Sequence, residues 1–402
     1  MGEPDIAPEG KVDALVIGGG LIGCAAAWHL GRAGASVLLL EAGDLNRGAS
    51  GQNAGSLHFQ IERRFLENGE ALAEQAARVV ALNNLAIEDW RGLEDALDRD
   101  LHIHMSGGLM VAETAEQARL LEAKAAREQS YGLSTRLVDG DEARSIAPYL
   151  SDAVLAASHA PDEGHADPRS LTPAFAEAAA AAGAAIALRA SVTAIEPRAG
   201  GFDIDYEQGG RGHRVRTDRM LVAAGVWTPE ICRLANLHMP LFPVALQMNV
   251  SERAAPFMPH LIQHVGARLS MKQAHAGNVL VGGGWPSRLR RRDGSFDLAA
   301  RPDLRPENLA PNLAVAARLV PELAELNLIR TWTGKTAVSA DQLPIAGEVP
   351  SMPGFWVAGG GSAFTLGPTL ARLVAEEMGG ERQDALQVVS PARFEHLNSF
   401  MG

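Results

Sequence analysis

Lys11-Val12-Asp13-Ala14-Leu15-Val16-Ile17-Gly18-Gly19-Gly20-Leu21-Ile22-Gly23 is the stretch on which the rest of the 402-residue chain turns. Its first seven residues make a short, β-rich apolar run of the kind buried in a parallel sheet, and the run stops at a glycine cluster. Leu21 to Ala33, rich in alanine and leucine, reads as a helix that Gly34 stops. Ser36 to Leu40 reads as a second apolar strand, closing a βαβ unit at Glu41.

Within that unit Gly18-x-Gly20-x-x-Gly23 follows the strand and opens the helix. At this spacing Gly18 permits a tight turn, Gly20 lets the backbone approach a pyrophosphate, and Gly23 lets helix and strand pack closely. Leu21 and Ile22 fall in the first helical turn, where amide donors and the positive end of the helix dipole face the phosphates. Glu41, 18 positions after Gly23 and followed by Ala42, stands where a carboxylate accepts from a ribose diol and disfavours a 2′-phosphate. A lone glycine triplet is also compatible with a turn that holds nothing. Strand, helix, second strand and acid together indicate a dinucleotide, and leave FAD and NAD both open.

Composition bounds the class. A chain of this length exceeds what one core usually serves, so two domains are expected. With 47% hydrophobic and 21% charged residues the chain resembles an ordinary globular protein. Its formal net charge of -12 argues against nucleic acid and anionic membranes as main partners. The two cysteines, Cys24 and Cys232, make no disulfide framework and suggest a reducing compartment. Met1 to Gly10 lacks the basic and apolar regions of a secretion signal, and Ala14 to Gly20 is too short to span a bilayer, so a cytoplasmic location is expected.

Beyond Glu41 the spacing predicts helical stretches over Phe65 to Leu97, Ala115 to Gln129, Asp167-Pro168 to Ala182, and Leu309 to Leu326. Strands are expected at 108–112, 185–188, 202–206, 214–217 and 220–223. The runs 242–250, 268–271 and 279–281 suggest an antiparallel sheet in a second domain. Phe355-Trp356-Val357-Ala358, then Gly359-Gly360-Gly361 and a helix over Thr369 to Met378, repeats the strand, turn, helix order of the N-terminus.

The segment Arg47-Gly48-Ala49-Ser50-Gly51-Gln52-Asn53-Ala54-Gly55 resembles the loop after the ribose-binding acid in the D-amino acid oxidase, glycine oxidase and sarcosine oxidase superfamily. Gly164-His165-Ala166-Asp167-Pro168, Leu221-Val222-Ala223-Ala224-Gly225-Val226-Trp227 and Ser339-Ala340-Asp341-Gln342-Leu343-Pro344-Ile345-Ala346-Gly347 are similar to further family segments in the same order. Gln52 to Phe59 and Gly359 to Pro368 look most like the β subunits of opine and D-hydroxyproline dehydrogenases. The resemblance implies noncovalent FAD and a discontinuous Rossmann-like α/β domain over 1–60, 160–235 and 335–402. A smaller α+β substrate domain would then occupy 61–159 and 236–334. It also implies FAD contacts from Ser56, Val192, Ala224, Gly225, Trp227, Gly359, Gly360, Gly361, Ser362, Phe364, Thr365 and Leu366, besides the loop from Arg47 to Gly55.

The implied activity is oxidation of the carbon–nitrogen bond of a small secondary amine or amino acid, in a dehydrogenase with further subunits. FMN or an iron–sulfur centre would enter only through a partner. A free-standing oxidase and a flavin-binding electron relay are the alternatives. A substrate carboxylate needs a cation, and Lys272 is the first candidate, on a strand face with Arg268 and Ser270; a solvated lysine at a strand end is the competing reading. Lys335 lies near where relatives carry an arginine clamp, Arg288 is a further basic residue, and Thr365 sits in the flavin turn. Arg63 and Arg64 read as solvent-facing, His58 as a packed histidine, and Cys24 as helix packing. His102 and His104 share one face of an expected strand, yet no further ligand completes a metal set, so no metal site is expected.

Overall fold

The computed structural model describes residues 10–67 and 69–401, so the polar segment before Gly10 lies outside the described residues. The strand Lys11–Ile17 runs parallel to Val37–Glu41 on one side and to Arg211–Val222 on the other. Ala185–Leu188 extends the sheet beyond Val37–Glu41, and Phe355–Gly360 extends it beyond Arg211–Val222. Pro344–Glu348 closes that edge antiparallel. Strands separated by more than 100 residues, such as Lys11–Ile17 and Arg211–Val222, thus become parallel neighbours through crossovers.

Successive side chains of the central strand point to opposite faces, and both faces are dry. Ala14 and Val16 join Leu39 and Leu221 in a core with the helices Leu21–Arg32, Pro168–Ala181 and Gly367–Met378. Leu15 and Ile17 join Leu38, Met220, Phe355 and Val357 on the other side, under the hairpin strands Ala190–Arg198 and Gly201–Gln208. This two-sided burial is why the strand reads as a continuous apolar run. The expected strands at 214–217 and 220–223 are one strand, Arg211–Val222, which leaves the hairpin and enters the parallel sheet.

A second sheet has eight strands among the described residues, in the order 328–339, 241–253, 278–282, 270–273, 261–264, 108–112, 156–160 and 136–139. The runs expected at 242–250, 268–271 and 279–281 do pair antiparallel within it, and the sheet as a whole is mixed because Leu261–His264 pairs parallel with Gly108–Ala112. The expected strand at 268–271 is displaced to Ser270–Gln273. The helical stretch over 65–97 is broken into Arg63–Glu67, Glu70–Arg78 and Val80–Leu97, with Gly69 at φ +97° between the first two. Pro321 likewise divides 309–326 into the helix Leu309–Leu319 and a 3₁₀ segment, Pro321–Glu325. Asp167 caps the helix Pro168–Ala181, accepting from the Arg169 amide at 2.9 Å, with Pro168 in its first turn. Among the described residues no helix is long and apolar enough to cross a membrane.

Candidate flavin and substrate site

Gly18 is at φ +115°, and a Cβ there would lie 2.5 Å from the Ala223 carbonyl oxygen. On Gly23 a Cβ would lie 1.9 Å from the Gly18 oxygen. Both glycines are therefore required by packing alone. Gly20 differs, because its Cβ would meet only the Ser50 hydroxyl, at 3.1 Å. The turn thus leaves an open side, bounded by Ser50, whose Oγ accepts from the Leu21 amide at 2.9 Å. Glu41 accepts from the amides of Gly19 at 2.6 Å and Gly43 at 2.7 Å, which fixes its carboxylate beside the turn. Ala42 and Arg47 are exposed next to it.

The segment from Ala49 to Gly55 ties itself into shape. Ala49–Gln52 is a single helical turn, after which Asn53 donates to the carbonyls of Ala49 and Ser50 and accepts from the Gly55 amide at 2.6 Å. Gln52 donates to the Arg47 carbonyl, and its own carbonyl accepts from the Trp332 indole at 2.8 Å. Ala54 is half-buried, and Ser56 enters a two-residue antiparallel pairing with His165. Ala224, Gly225 and Trp227 follow the strand Arg211–Val222 in a 3₁₀ turn, and Val192 is half-buried on the hairpin.

The turn from Gly359 to Leu366 is built on Gly360 at φ +98° and Ser362 at φ +57°. Gly359 has open space where a side chain would be, while Gly361 is pressed on the Gln342 carbonyl. Ser362 donates to Glu62 at 3.0 Å, and Phe364 packs on Trp90. Thr365 accepts from the His58 amide at 3.2 Å and donates to the Ser56 carbonyl at 3.4 Å. Leu366 precedes the helix Gly367–Met378 without a side-chain cap, and Gly20 precedes the first helix in the same way. A Cβ on Gly367 would lie 3.0 Å from Leu21 Cδ2, so the two uncapped N-termini converge. Two positive helix ends at one glycine-lined opening fit the pyrophosphate of FAD and the pyrimidine edge of its ring.

Lys272 is 2% exposed, on Ser270–Gln273, which corrects the reading of a solvated lysine. A Cβ on Gly55 would lie 3.2 Å from its Nζ, and that Nζ meets no hydrogen-bonding group among the described residues. Burial holds its pKa well below the ordinary lysine value, with Asp167 pulling the other way. His165, also buried, has both ring nitrogens without a partner among the described residues. Its pKa is pushed down to about 2 by burial, then by Lys272 and the neighbouring histidines.

Lys335 stands apart from Lys272 in its bonding. It donates to the carbonyls of Leu298 and Ala300 and lies 5.5 Å from the Trp227 ring centroid. Arg288 is exposed, and Arg268 donates to the Gly284 carbonyl. The solvent-facing reading of Arg63 and Arg64 is corrected: Arg64 donates to the Gln342 carbonyl and Ser362, and the Arg63 side chain pairs with Glu67 while only 15% exposed. His102 and His104 do not share a strand face, because His102 is at φ +53° and stacks on His275 while His104 bridges to His165. The thiols of Cys24 and Cys232 are buried, their pKa values pushed up to about 12 by burial.

Sequence reading passed over Glu163, Glu128, Lys124 and Gln263, which form a buried polar cluster behind residues 59–61. Lone charged residues on a helix and in a turn carry no signal of burial.

Comparison with known proteins follows the same outline. The chain is 27% identical over 393 residues to one of the subunits of the opine oxidase of Rhizobium meliloti, covering 96% of this chain and 98% of that one. It is 26% identical over 376 residues to the mitochondrial dimethylglycine dehydrogenase of Rattus norvegicus, spanning 88% of this chain but 41% of that protein. The L-proline dehydrogenase structure from P. horikoshii superposes with a TM-score of 0.83 at 22% identity, over 96% of this chain and 99% of that one, a likeness of fold. The family model "FAD dependent oxidoreductase" matches residues 13–377, and the chain belongs to that family.

Proposed function

We propose that the chain oxidises the carbon–nitrogen bond of a small secondary amine or amino acid of the opine, D-hydroxyproline, sarcosine or D-amino acid type, as the catalytic subunit of a heteromeric dehydrogenase. The observation that carries this reading is the buried Nζ of Lys272, without a partner among the described residues and set against the Gly55 loop. Burial disfavours its charged form. A carboxylate arriving beside it supplies the missing counter-charge and restores the ammonium, so the site selects an anionic substrate.

Bound FAD supplies a two-electron acceptor for the hydride leaving the substrate α-carbon. The open side of Gly20 with Leu21 and Ser50 would hold the pyrophosphate, and Glu41 the ribose diol. The loop from Asn53 to Ser56 and the turn from Gly359 to Leu366 would flank the ring, with the Gly367 helix end toward its pyrimidine edge. Thr365 acts through position, since its hydroxyl ties the backbone of His58 to that of Ser56. Lys335 does the same for residues 298–300. The imine formed leaves for hydrolysis by water. On this reading residues 1–60, 160–235 and 335–402 form the FAD domain, and 61–159 and 236–334 the substrate domain. The likeness to a protein named as one part of a multi-subunit opine oxidase supports the heteromeric assignment.

The test is an anaerobic screen of sarcosine, hydroxyproline isomers, D-amino acids and opines for bleaching of the bound yellow cofactor. Bleaching by members of this set is expected, with slow peroxide formation when air is admitted to the isolated chain. Rapid peroxide formation overturns the dehydrogenase assignment. An unbleached cofactor throughout overturns the substrate class.

A further inference from the structure

In the stretch from Ser56 to Arg63 the backbone of residues 59–61 is held by buried side chains. The amides of Phe59 and Gln60 both donate to Glu163 Oε1, at 2.9 and 3.0 Å. Gln60 Nε2 donates to Glu163 Oε2 at 2.8 Å, and Gln263 Nε2 reaches the same oxygen at 3.2 Å. The next amide, of Ile61, donates to Glu128 Oε1 at 2.5 Å. Lys124 closes the cluster, donating to Gln60 Oε1 at 2.8 Å and pairing with Glu128 at 2.8 Å. Glu163, Glu128 and Lys124 are each fully buried.

Two carboxylates and one ammonium are a costly set to withdraw from water, and chain folding alone does not call for them where an apolar plug would serve. What the set achieves is local. Three consecutive amides that lie outside any helix or sheet are satisfied, and one more link runs to Gln263 on the second sheet. Burial raises the Glu163 pKa, opposed first by His58 and then by the Gln60 bonds. All of its close partners are N–H donors, an arrangement that favours the ionised form against the effect of burial.

The residue that this backbone presents is His58. Its amide donates to Thr365, its Nε2 meets Ser270 Oγ at 3.2 Å, and its Nδ1 is buried without a partner among the described residues. Ser270 begins the strand that carries Lys272, and Thr365 closes the Gly359 turn. His58 therefore stands where the Gly55 loop, the Lys272 strand and the 359–366 turn meet.

We propose that Glu163 is a positioning residue: its ionised carboxylate clamps Phe59 and Gln60 to the second sheet and thereby fixes the His58 imidazole at the junction of the flavin loop and the substrate strand. The proposal rests on the reading of the site given above for its bearing on turnover, and on contacts within this chain for the clamp itself. Glu163→Gln keeps the shape and replaces one acceptor oxygen by an amide that confronts the donors of Gln60 and Gln263.

The test uses the full chain loaded with FAD and ¹⁵N-histidine, with the His58 ring signals identified by their loss in His58→Gln. In Glu163→Gln the flavin content should match the parent protein, the His58 ring signals should move, and flavin reduction by a bleaching substrate should slow by about tenfold or more, as misplacement of a site element predicts. Glu163→Asp, which restores the charge on a shorter arm, should return part of the rate. Unmoved His58 signals in a folded, flavin-loaded Glu163→Gln overturn the clamp. If that variant does not fold, Gln263→Leu is read instead, where moved signals support the proposal and unmoved signals overturn it. The ring signals need no substrate, so failure to find one would count against the function proposed above and leave this test intact.

Discussion

A lysine withdrawn from water without an acceptor raises the free energy of the folded chain, by about 1–3 kcal/mol for a buried group left unsatisfied. Lys272 is such a residue, so Lys272→Met should raise the melting temperature of the substrate-free protein while removing flavin bleaching by carboxylate-bearing amines. Lower stability in Lys272→Met, or bleaching retained at the parent rate, would contradict the assigned role. Lys335→Met should behave in the opposite sense, losing stability because its two carbonyl acceptors are left without a donor. Sequence could name both lysines as cations near the site, since both lie on strands of the second sheet. It ranks Lys272 first from strand alternation but could not show the difference in their bonding, which lies in residues 298–300 and in Gly55 and arises only through the tertiary fold.

At the scale of the element, the two strand, turn, helix units are where sequence reading went furthest. A glycine at positive φ, or one against a carbonyl, leaves a pattern that no other residue can imitate, and so Gly18 and Gly23 were legible. The short strands at 136–139, 156–160 and 261–264 were not, because four or five residues with mixed polarity carry little period. The turn also allows two glycine substitutions with different outcomes. Gly23→Ala forces a Cβ onto the Gly18 oxygen and should prevent accumulation of folded protein. Gly20→Val starts from φ −84° and meets only a hydroxyl that can rotate, so the chain should fold with the parent far-ultraviolet spectrum. Its side chain would fill the open side of the turn, and the dissociation constant for FAD, titrated by bound flavin absorbance, should rise at least tenfold, about 1.4 kcal/mol of binding free energy. A yellow Gly20→Val protein would place the pyrophosphate elsewhere.

For the whole molecule, burial of titratable groups couples stability to pH. His29, in the helix Leu21–Arg32, has its pKa pushed down to about 4 by burial, with Arg372 and Arg32 adding and Asp89 opposing, and His165 is pushed down to about 2. An unfolded histidine titrates near its ordinary value of about 6.5. Between that value and the lowered one the unfolded chain binds a proton that the folded chain refuses, so the stabilisation is complete above about pH 6.5 and is lost as pH falls. The window closes near pH 4 for His29 and near pH 2 for His165. Within it each group removes up to about 1.4 kcal/mol per pH unit, or about 2 kcal/mol each between pH 7 and 5. Lys272 acts in the same direction at higher pH, because its lowered pKa makes the folded form gain on the unfolded one up to about the ordinary lysine value. Denaturant unfolding at pH 7 and pH 5 should therefore show a marked fall in midpoint for the parent chain, and a shallower fall in the double variant His29→Gln, His165→Asn. Equal falls in the two proteins would show that these imidazoles are protonated in the folded state, and for His165 would put a second positive charge beside Lys272 and remove the uncharged imidazole from the site proposed for an anionic substrate.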